Sequence, residues 1–258
     1  MRLVILAGGL GSRLSEETHT KPKPMVLVGD KPIIWHIMKH FSAFGVNDFI
    51  ICAGYLGDVI KEYFANYSYH NSDVTFDVSG KSAPIYHNNP NESWKVTVVD
   101  TGKTADTAGR LLQVKRYLDS KEPFFFTYGD GVSNVNLNNL YAHHLESKKI
   151  VTMTTVQTPG RYGSIEVSSD STVLRFVEKP HGDSGWINGG FFVVNPEALN
   201  YIYSTNDCWE TNTLPRLVSE NEVTSFKHTG FWQAMDTLRD NRRLTSLWNS
   251  GDAPWKTW

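Results

Sequence analysis

Leu3-Val4-Ile5-Leu6-Ala7-Gly8-Gly9-Leu10-Gly11-Ser12-Arg13 carries the chain from an apolar run straight into a glycine-rich turn that ends on an arginine. The run is continuously apolar, as in a parallel strand buried on both faces. A buried strand that empties into glycines presents several backbone N–H groups to one point, a cradle for phosphate oxygens. Lys21-Pro22-Lys23-Pro24-Met25 follows shortly after, so Arg13, Lys21 and Lys23 can add positive charge to that cradle. Together these residues point to chemistry on a nucleoside triphosphate. The spacing of Gly8, Gly9 and Gly11 matches neither the dinucleotide fingerprint G-x-G-x-x-G nor the P-loop. On its own the stretch reads equally as a tight strand-to-helix turn.

Outward from this loop, strand-like and helix-like segments alternate. Asp30 is placed to cap a helix with Pro32 in its first turn that runs to about Phe44. A second strand spans 48–53, and a helix over 56–66 carries Val59, Ile60, Tyr63 and Phe64 on one face. A strand at 96–99, a helix at 109–118 and a strand at 124–128 follow, the last ending in Gly129-Asp130-Gly131. The second half is richer in strands, with candidates at 150–156, 163–167, 173–178, 191–195 and 223–226 and helices at 196–203, 209–219 and 237–249. The polar stretch 67–95 reads as a mobile flap or an irregular hairpin. The alternation predicts an α/β fold with a doubly wound, mostly parallel mixed sheet and helices on both faces. No repeat or linker divides the 258 residues, so a single domain is expected.

Composition narrows the function classes. The chain is 40% hydrophobic and 20% charged, with a net charge of −2 and no basic block, which argues against nucleic acid as a partner. No apolar run approaches the roughly 20 residues of a membrane span, so no membrane partner is expected. Cys52 and Cys208 are too few for a cysteine metal cluster, and a reducing cytoplasm is the simplest home.

Three further constellations bear on chemistry. Asp130 follows a buried strand, at the end of the sheet where open α/β folds bind ligands, and glycines on both sides leave room for a phosphate or a metal. Carboxylate oxygens there suit Mg²⁺, which needs only one or two of them beside phosphates. An Asx-turn would explain the same residue. Val177-Glu178-Lys179-Pro180, with Gly185-Trp186-Ile187-Asn188-Gly189-Gly190, offers a lysine for a second phosphate and an amide for sugar hydroxyls. A surface turn and a glycine bulge are the plainer readings of those segments. Asp236, just before Thr237, can be a second metal carboxylate, although local pattern favours the N-cap of the last helix. His36 and His40 lie four apart on a helix without the intervening glutamate of a zinc site, and His143 and His144 face different directions.

Taken together, Leu6 to Leu14, Lys21 to Met25, Thr127 to Val132, Pro159 to Gly163, Ile187 to Phe192, Gly230 to Gln233, Met235 to Asp240 and the tail Ala253 to Trp258 resemble the sugar-phosphate nucleotidyltransferases. Within them, the chain is similar to the glucose-1-phosphate cytidylyltransferases of bacterial surface-polysaccharide (O-antigen) synthesis. The resemblance covers nearly the whole chain and is weakest over 79–95. It implies a Rossmann-like nucleotidyltransferase fold, with 1–130 mainly binding nucleotide and a strand-rich half, 131–258, mainly binding sugar phosphate. It implies CTP and a sugar 1-phosphate as partners, Mg²⁺ as cofactor and a homo-oligomer, for which a hexamer and contacts through the Trp-rich C-terminus are the expectation.

Residue by residue, the resemblance places Leu6, Ala7, Gly8, Gly9, Leu10, Gly11 and Ser12 around the CTP phosphates and ribose, with Arg13 and Lys23 on the triphosphate. Ala105, Thr107 and Arg110 match the base-binding stretch, with Gly129 also against the nucleotide. Asp130 and Asp236 would hold Mg²⁺, which reverses the local preference for a cap at Asp236. Gly163, Glu178, Lys179, Asn188 and Gly189 would bind the sugar phosphate. The implied catalytic set is Arg13, Lys23 and Asp130. Cytosine presents acceptors at O2 and N3 where uracil has an N3–H donor, and an arginine supplies donors only, so Arg110 is expected to favour cytosine. Two other readings stay open: the same chemistry with UTP or another sugar or alditol phosphate, and a catalytically idle nucleotide-sugar-binding regulatory homologue.

Overall fold

A computed structural model describes residues 1–9, 11, 14–88, 92–158, 164–177 and 185–258. Its frame is a seven-stranded sheet. The strands are β1 (Arg2–Ala7), β2 (Asp48–Ala53), β3 (Lys95–Asp100), β4 (Phe124–Tyr128), β5 (Val151–Val156), β6 (Ile187–Val194) and β7 (Val223–His228). Their spatial order is β7-β5-β6-β4-β1-β2-β3. β1 pairs parallel with β2 and β4, β2 with β3, and β5 with β7, while β6 runs antiparallel to both of its neighbours. The mostly parallel mixed sheet expected from the sequence is therefore present.

Strict alternation along continuously apolar strands explains why helices cover both faces. Leu3, Ile5, Phe49, Ile51, Phe125 and Val193 point into one core, with α1 (Ile33–Ala43), α4 (Leu137–Ser147) and α5 (Leu238–Asn249) packed on that side. Val4, Leu6, Ile50, Cys52, Phe124, Phe126 and Phe192 point into the other, against α3 (Thr107–Val114) and the segment 196–217. α2 (Gly57–Ala65) follows β2 and buries Ile60. Among the described residues no helix is long and apolar enough to cross a membrane.

Several boundaries differ from expectation for identifiable reasons. Asp30 does not cap α1; Pro32 is the N-cap residue, and Asp30 instead accepts a hydrogen bond of 3.0 Å from the Trp248 indole. The predicted helix over 109–118 begins at Thr107 and gives way to a 3-10 turn, Lys115–Tyr117. The second-half helix over 209–219 opens as a π turn, Trp209–Thr213, before Leu214–Ser219. The strand expected over 191–195 starts earlier, at Ile187, and the glycine bulge of the plainer reading lies inside it. Gly190 and Phe191 there have φ of 72° and 48°. α4 has no counterpart in the expected elements, although Asn136 caps it at Asn139 and Leu137, Leu140 and His144 line its buried face. Residues 67–87 form a short helix, Tyr67–Asn71, and a small antiparallel hairpin pairing Asp73–Thr75 with Ile85–His87.

The C-terminal tail is a strap over α1. Trp255 is completely buried and donates from its indole to His36 Nδ1 at 3.3 Å, and His40 Nδ1 meets Thr257 Oγ1 at 3.0 Å. Trp248 and Trp258 stand edge-on to Trp35. The C-terminal tryptophans thus pack against α1. His36 also contacts the Val28 carbonyl at 2.9 Å, so both ring nitrogens are engaged, and the two histidines serve packing. Burial lowers both to about 4, from an ordinary 6.5.

A depressed histidine pKa means that the unfolded chain takes up protons the folded chain refuses. The stability from neutral His36 and His40 is therefore complete above about pH 6.5 and is lost as pH falls toward 4. Shifts of this size correspond to on the order of 3 kcal/mol per histidine at the acid end. Urea unfolding should show stability falling over that window, with a shallower fall in His40→Asn. Equal pH slopes for the two proteins would contradict this account.

Candidate active site

The C-terminal ends of β1 and β4 open onto one cleft of about 310 Å³. Strand direction places it there, because both strands run the same way and their following loops share one rim. Leu6, Ala7, Gly8, Gly9 and Gly11 form one wall, and Gly129 and Asp130 face them from the end of β4. Gly129 N donates to the Leu6 carbonyl at 2.9 Å. A Cβ on Gly129 would lie 2.7 Å from that oxygen and 2.8 Å from Pro24, so only glycine allows the two loops to approach this closely.

Lys23 begins a 3-10 turn, Lys23–Met25, whose Pro24 and Met25 are buried. Its ammonium reaches Asp130 Oδ2 at 2.6 Å and Asp236 Oδ1 at 2.8 Å. A short antiparallel ribbon brings these two carboxylates together. Gly131–Ser133 pairs with Trp232–Ala234, and Met235 N donates to the Asp130 carbonyl at 2.8 Å. Asp236 is not the helix cap favoured by local pattern: Thr237 caps α5, in a reciprocal box with Asp240. Burial alone would lower the pKa of Lys23, but attraction and hydrogen bonding to Asp130 and Asp236 outweigh it and raise the value.

The two carboxylates converge on a point where a cation already sits. Among the described residues no group of three His, Cys, Asp or Glu assembles. Two oxygen donors at the mouth of an open cleft suit Mg²⁺, which keeps waters and phosphates for its remaining positions. The residues therefore fit the metal.

Arg110 on α3 also lines the cleft, buried and packed against glycine backbone. Its Nη1 donates to Thr101 Oγ1 at 2.7 Å and to the Gly102 carbonyl at 2.9 Å, and its Nη2 donates to the Gly8 carbonyl at 3.1 Å. A Cβ on Gly8 would fall 2.1 Å from Nη1, and one on Gly54 2.5 Å from it. Two glycines thus make the socket for one guanidinium. Most of the fork holds main chain and protein hydroxyl, so Arg110 shapes the wall of the cleft as well as lining it.

Ala105 and Thr107 also line the cleft, but the Thr107 hydroxyl is turned to protein. It donates to Glu210 Oε2 at 2.9 Å and accepts from Trp209 N at 2.7 Å. Glu210 sits on the π turn, an irregularity common at functional sites, and its other oxygen accepts from Tyr128. Burial and the Glu210 carboxylate raise the pKa of Tyr128, so it stays a protonated donor. The Asn188 amide donates to Tyr128 at 3.1 Å, and its carbonyl accepts from Gly190 N at 2.9 Å. Trp232 Nε1 donates to the Gly189 carbonyl at 2.6 Å. Asn188 and Gly189 thus stand behind the cleft wall, linked to it through Tyr128.

The structure brings Leu6, Ala7, Gly8, Gly9, Gly11, Lys23, Ala105, Thr107, Arg110, Gly129, Asp130 and Asp236 to one cleft. Leu10, Ser12, Arg13, Gly163, Glu178 and Lys179 lie outside the described residues. Sequence reasoning missed Pro24, Asp106 and Tyr128 in the lining and Glu210 behind it. Tyr128 was within reach, since it immediately precedes Gly129-Asp130 on β4. Glu210 carries no local signal, because its partners are distant in sequence.

Comparison with known proteins agrees with this arrangement. Residues 2–241 match the family model described as nucleotidyl transferase, and the chain belongs to that family. It is 51% identical over 258 residues, all of both chains, to the glucose-1-phosphate cytidylyltransferases of Salmonella typhi and Salmonella typhimurium. Its fold is shared with HddC from Yersinia pseudotuberculosis (TM-score 0.67, 21% identity, 96% of this chain and 99% of that one). It is shared equally with UDP-glucose pyrophosphorylase from Acinetobacter baumanii (TM-score 0.69, 15% identity, 99% and 95%).

The glycine socket makes a quantitative expectation. Gly8→Ala should destabilise the protein by roughly 1–3 kcal/mol through overpacking against Arg110. Combined with Arg110→Ala, which removes the colliding group, the loss should fall short of the sum of the single losses by roughly 1 kcal/mol or more. Urea denaturation of the four proteins measures this, and strict additivity would show that the two residues do not meet.

Proposed function

We propose that this chain transfers a cytidylyl group from CTP to α-D-glucose 1-phosphate, giving CDP-glucose and pyrophosphate. The observation that carries the reaction type is the single cleft that combines a glycine loop, Lys23 and the Asp130–Asp236 pair. The choice of substrates rests on the full-length identity of 51% to glucose-1-phosphate cytidylyltransferases. The fold alone does not choose the base, since it is shared with a UDP-glucose pyrophosphorylase.

In this reading a phosphate oxygen of the sugar 1-phosphate forms a bond to the α-phosphorus as the bond to the bridging oxygen of pyrophosphate breaks. The nucleophile is already an anion, so no general base is required. The protein must hold two anions in line and offset the charge that moves to the leaving group. The glycine-loop backbone seats the triphosphate, with Lys23 and Arg13 on its leaving side. Lys179 and Glu178, with Gly163, receive the sugar phosphate. Asn188 has committed part of its amide to Tyr128 and Gly190, so the remaining amide N–H is what it can offer a hydroxyl. Asp130 and Asp236 would hold Mg²⁺, which when bound supplies charge neutralisation on the phosphates. The two halves are functional regions of one site, because Asp236 of the second half reaches the nucleotide cleft.

The same reading places the protein in the cytoplasm, where CTP is available, feeding deoxysugar synthesis for surface polysaccharide. It also makes the protein a homo-oligomer. Exposed Phe76, Val78 and Ile85 on the small hairpin offer apolar surface for self-association, and light scattering gives the assembly size.

A matrix of nucleoside triphosphates against sugar 1-phosphates, read as pyrophosphate release, should give its largest kcat/KM for CTP with glucose 1-phosphate. A larger value for UTP or another sugar would replace the substrate assignment, and no release from any pair would remove the enzymatic one. Asp130→Asn should lose at least 100-fold in Mg²⁺-dependent turnover while unfolding like the parent, and near-normal rates across a magnesium titration would end the metal assignment. Arg110→Ala should reduce the preference for CTP over UTP. An unchanged ratio would leave Arg110 with the structural role of its socket alone.

A further inference from the structure

We propose that Lys23 is a resident counter-ion that keeps divalent cations off the Asp130–Asp236 pair until a nucleoside triphosphate arrives. The inference rests on the metal and triphosphate roles proposed above and adds an order to them.

Both carboxylates give an oxygen to the same ammonium, at 2.6 and 2.8 Å. Mg²⁺ holds carboxylate oxygens at roughly 2.0–2.1 Å. A dication drawn to the same two oxygens and the ammonium therefore compete for one position. Lys23 offsets part of the negative charge that the pair carries. A free dication has to expel an ammonium whose side chain is only 12% exposed. The expelled group would then stand in the cleft without the partners that compensate its burial, an unfavourable state for a charge.

A triphosphate changes that balance. Lys23 shares the cleft with Gly8, Gly9 and Gly11, whose backbone is the proposed seat of the phosphates. Phosphate oxygens placed there give the ammonium a second set of anionic acceptors, and the carboxylates are released to a cation that enters with the nucleotide. The exchange requires movement of the side chain alone. The Lys23 backbone is held in its 3-10 turn by Met25 N to the Pro22 carbonyl at 2.8 Å and Val26 N to the Lys23 carbonyl at 3.0 Å. Pro24 is wedged against Gly129. Linkage makes the coupling reciprocal, so nucleotide tightens cation binding and cation tightens nucleotide binding by the same factor.

Mn²⁺ is the probe, its free concentration read from the electron paramagnetic resonance signal in the presence of full-length protein. Without nucleotide, Lys23→Met should bind Mn²⁺ at least tenfold more tightly than the parent, and adding Asp236→Asn should abolish the gain. Lys23→Gln, which keeps a polar side chain without charge, should behave like Lys23→Met, with circular dichroism confirming that both fold. The parent should gain Mn²⁺ affinity in the presence of an α,β-methylene analogue of CTP, and Asp236→Asn should diminish that gain. If both folded lysine variants bind Mn²⁺ no better than the parent while the gain with analogue still depends on Asp236, the counter-ion role is wrong and the metal role stands. If Asp236→Asn leaves Mn²⁺ binding with the analogue unchanged, the metal role fails and the counter-ion role with it.

Discussion

Three charged groups from distant parts of the chain meet at the mouth of the cleft, and the surrounding architecture is arranged so that they can. Asp130 is delivered by a central strand, Lys23 by the turn that follows the glycine loop, and Asp236 by the last segment before α5. The ribbon between Gly131–Ser133 and Trp232–Ala234 brings the second carboxylate beside the first. Two carboxylates this close repel unless a cation lies between them, and the Lys23 ammonium meets that need. The same requirement makes the position suitable for a divalent metal. The resting fold and the proposed chemistry thus depend on one electrostatic constraint met by two different cations.

A second organising group of the cleft is the Arg110 guanidinium. It binds the Gly8 and Gly102 carbonyls and the Thr101 hydroxyl, so it ties together the ends of β1 and β3 and the start of α3. The glycines at 8 and 54 are needed because any side chain there would occupy the guanidinium's space. The residue expected from sequence to contact the base is the keystone of this part of the cleft wall. Glu210 has the corresponding place on the other wall, where it joins Tyr128, Thr107 and, through Tyr128, Asn188. The two walls are thus held by buried and half-buried hydrogen-bond networks, which fix the shape of the cleft.

Much of the fold was legible because its signals are local. The continuous apolar runs at 3–6, 48–53 and 124–128 mark buried parallel strands, and those strands form the centre of the sheet. Glycines after β1 and β4 mark loops, and both loops line the cleft. Where two explanations fit one residue, sequence could not separate them. Asp236 and Thr237 are adjacent and both can cap a helix; the backbone gives the cap to Thr237 and turns Asp236 to Lys23. Gly189 and Gly190 suit a sugar-binding segment or a plain bulge, and the pairing of β6 with β5 places a bulge there. α4 escaped notice because its apolar face is short, with His144 completing it through Thr152 and Asn195.

Taken alone, the amino-acid order determined the alternating α/β architecture, the glycine loop and the identity of the charged groups near it, since hydrophobic periodicity and glycine freedom are properties of neighbouring residues. Tertiary structure decided which of those groups meet. The contact of Lys23 with two carboxylates, the glycine socket of Arg110 and the role of Glu210 all join residues remote in sequence, and their geometry depends on strand order, the ribbon and the direction of each loop. Coulomb and hydrogen-bond energies fall steeply with distance, so their partners are known only once the chain has brought them within a few ångströms.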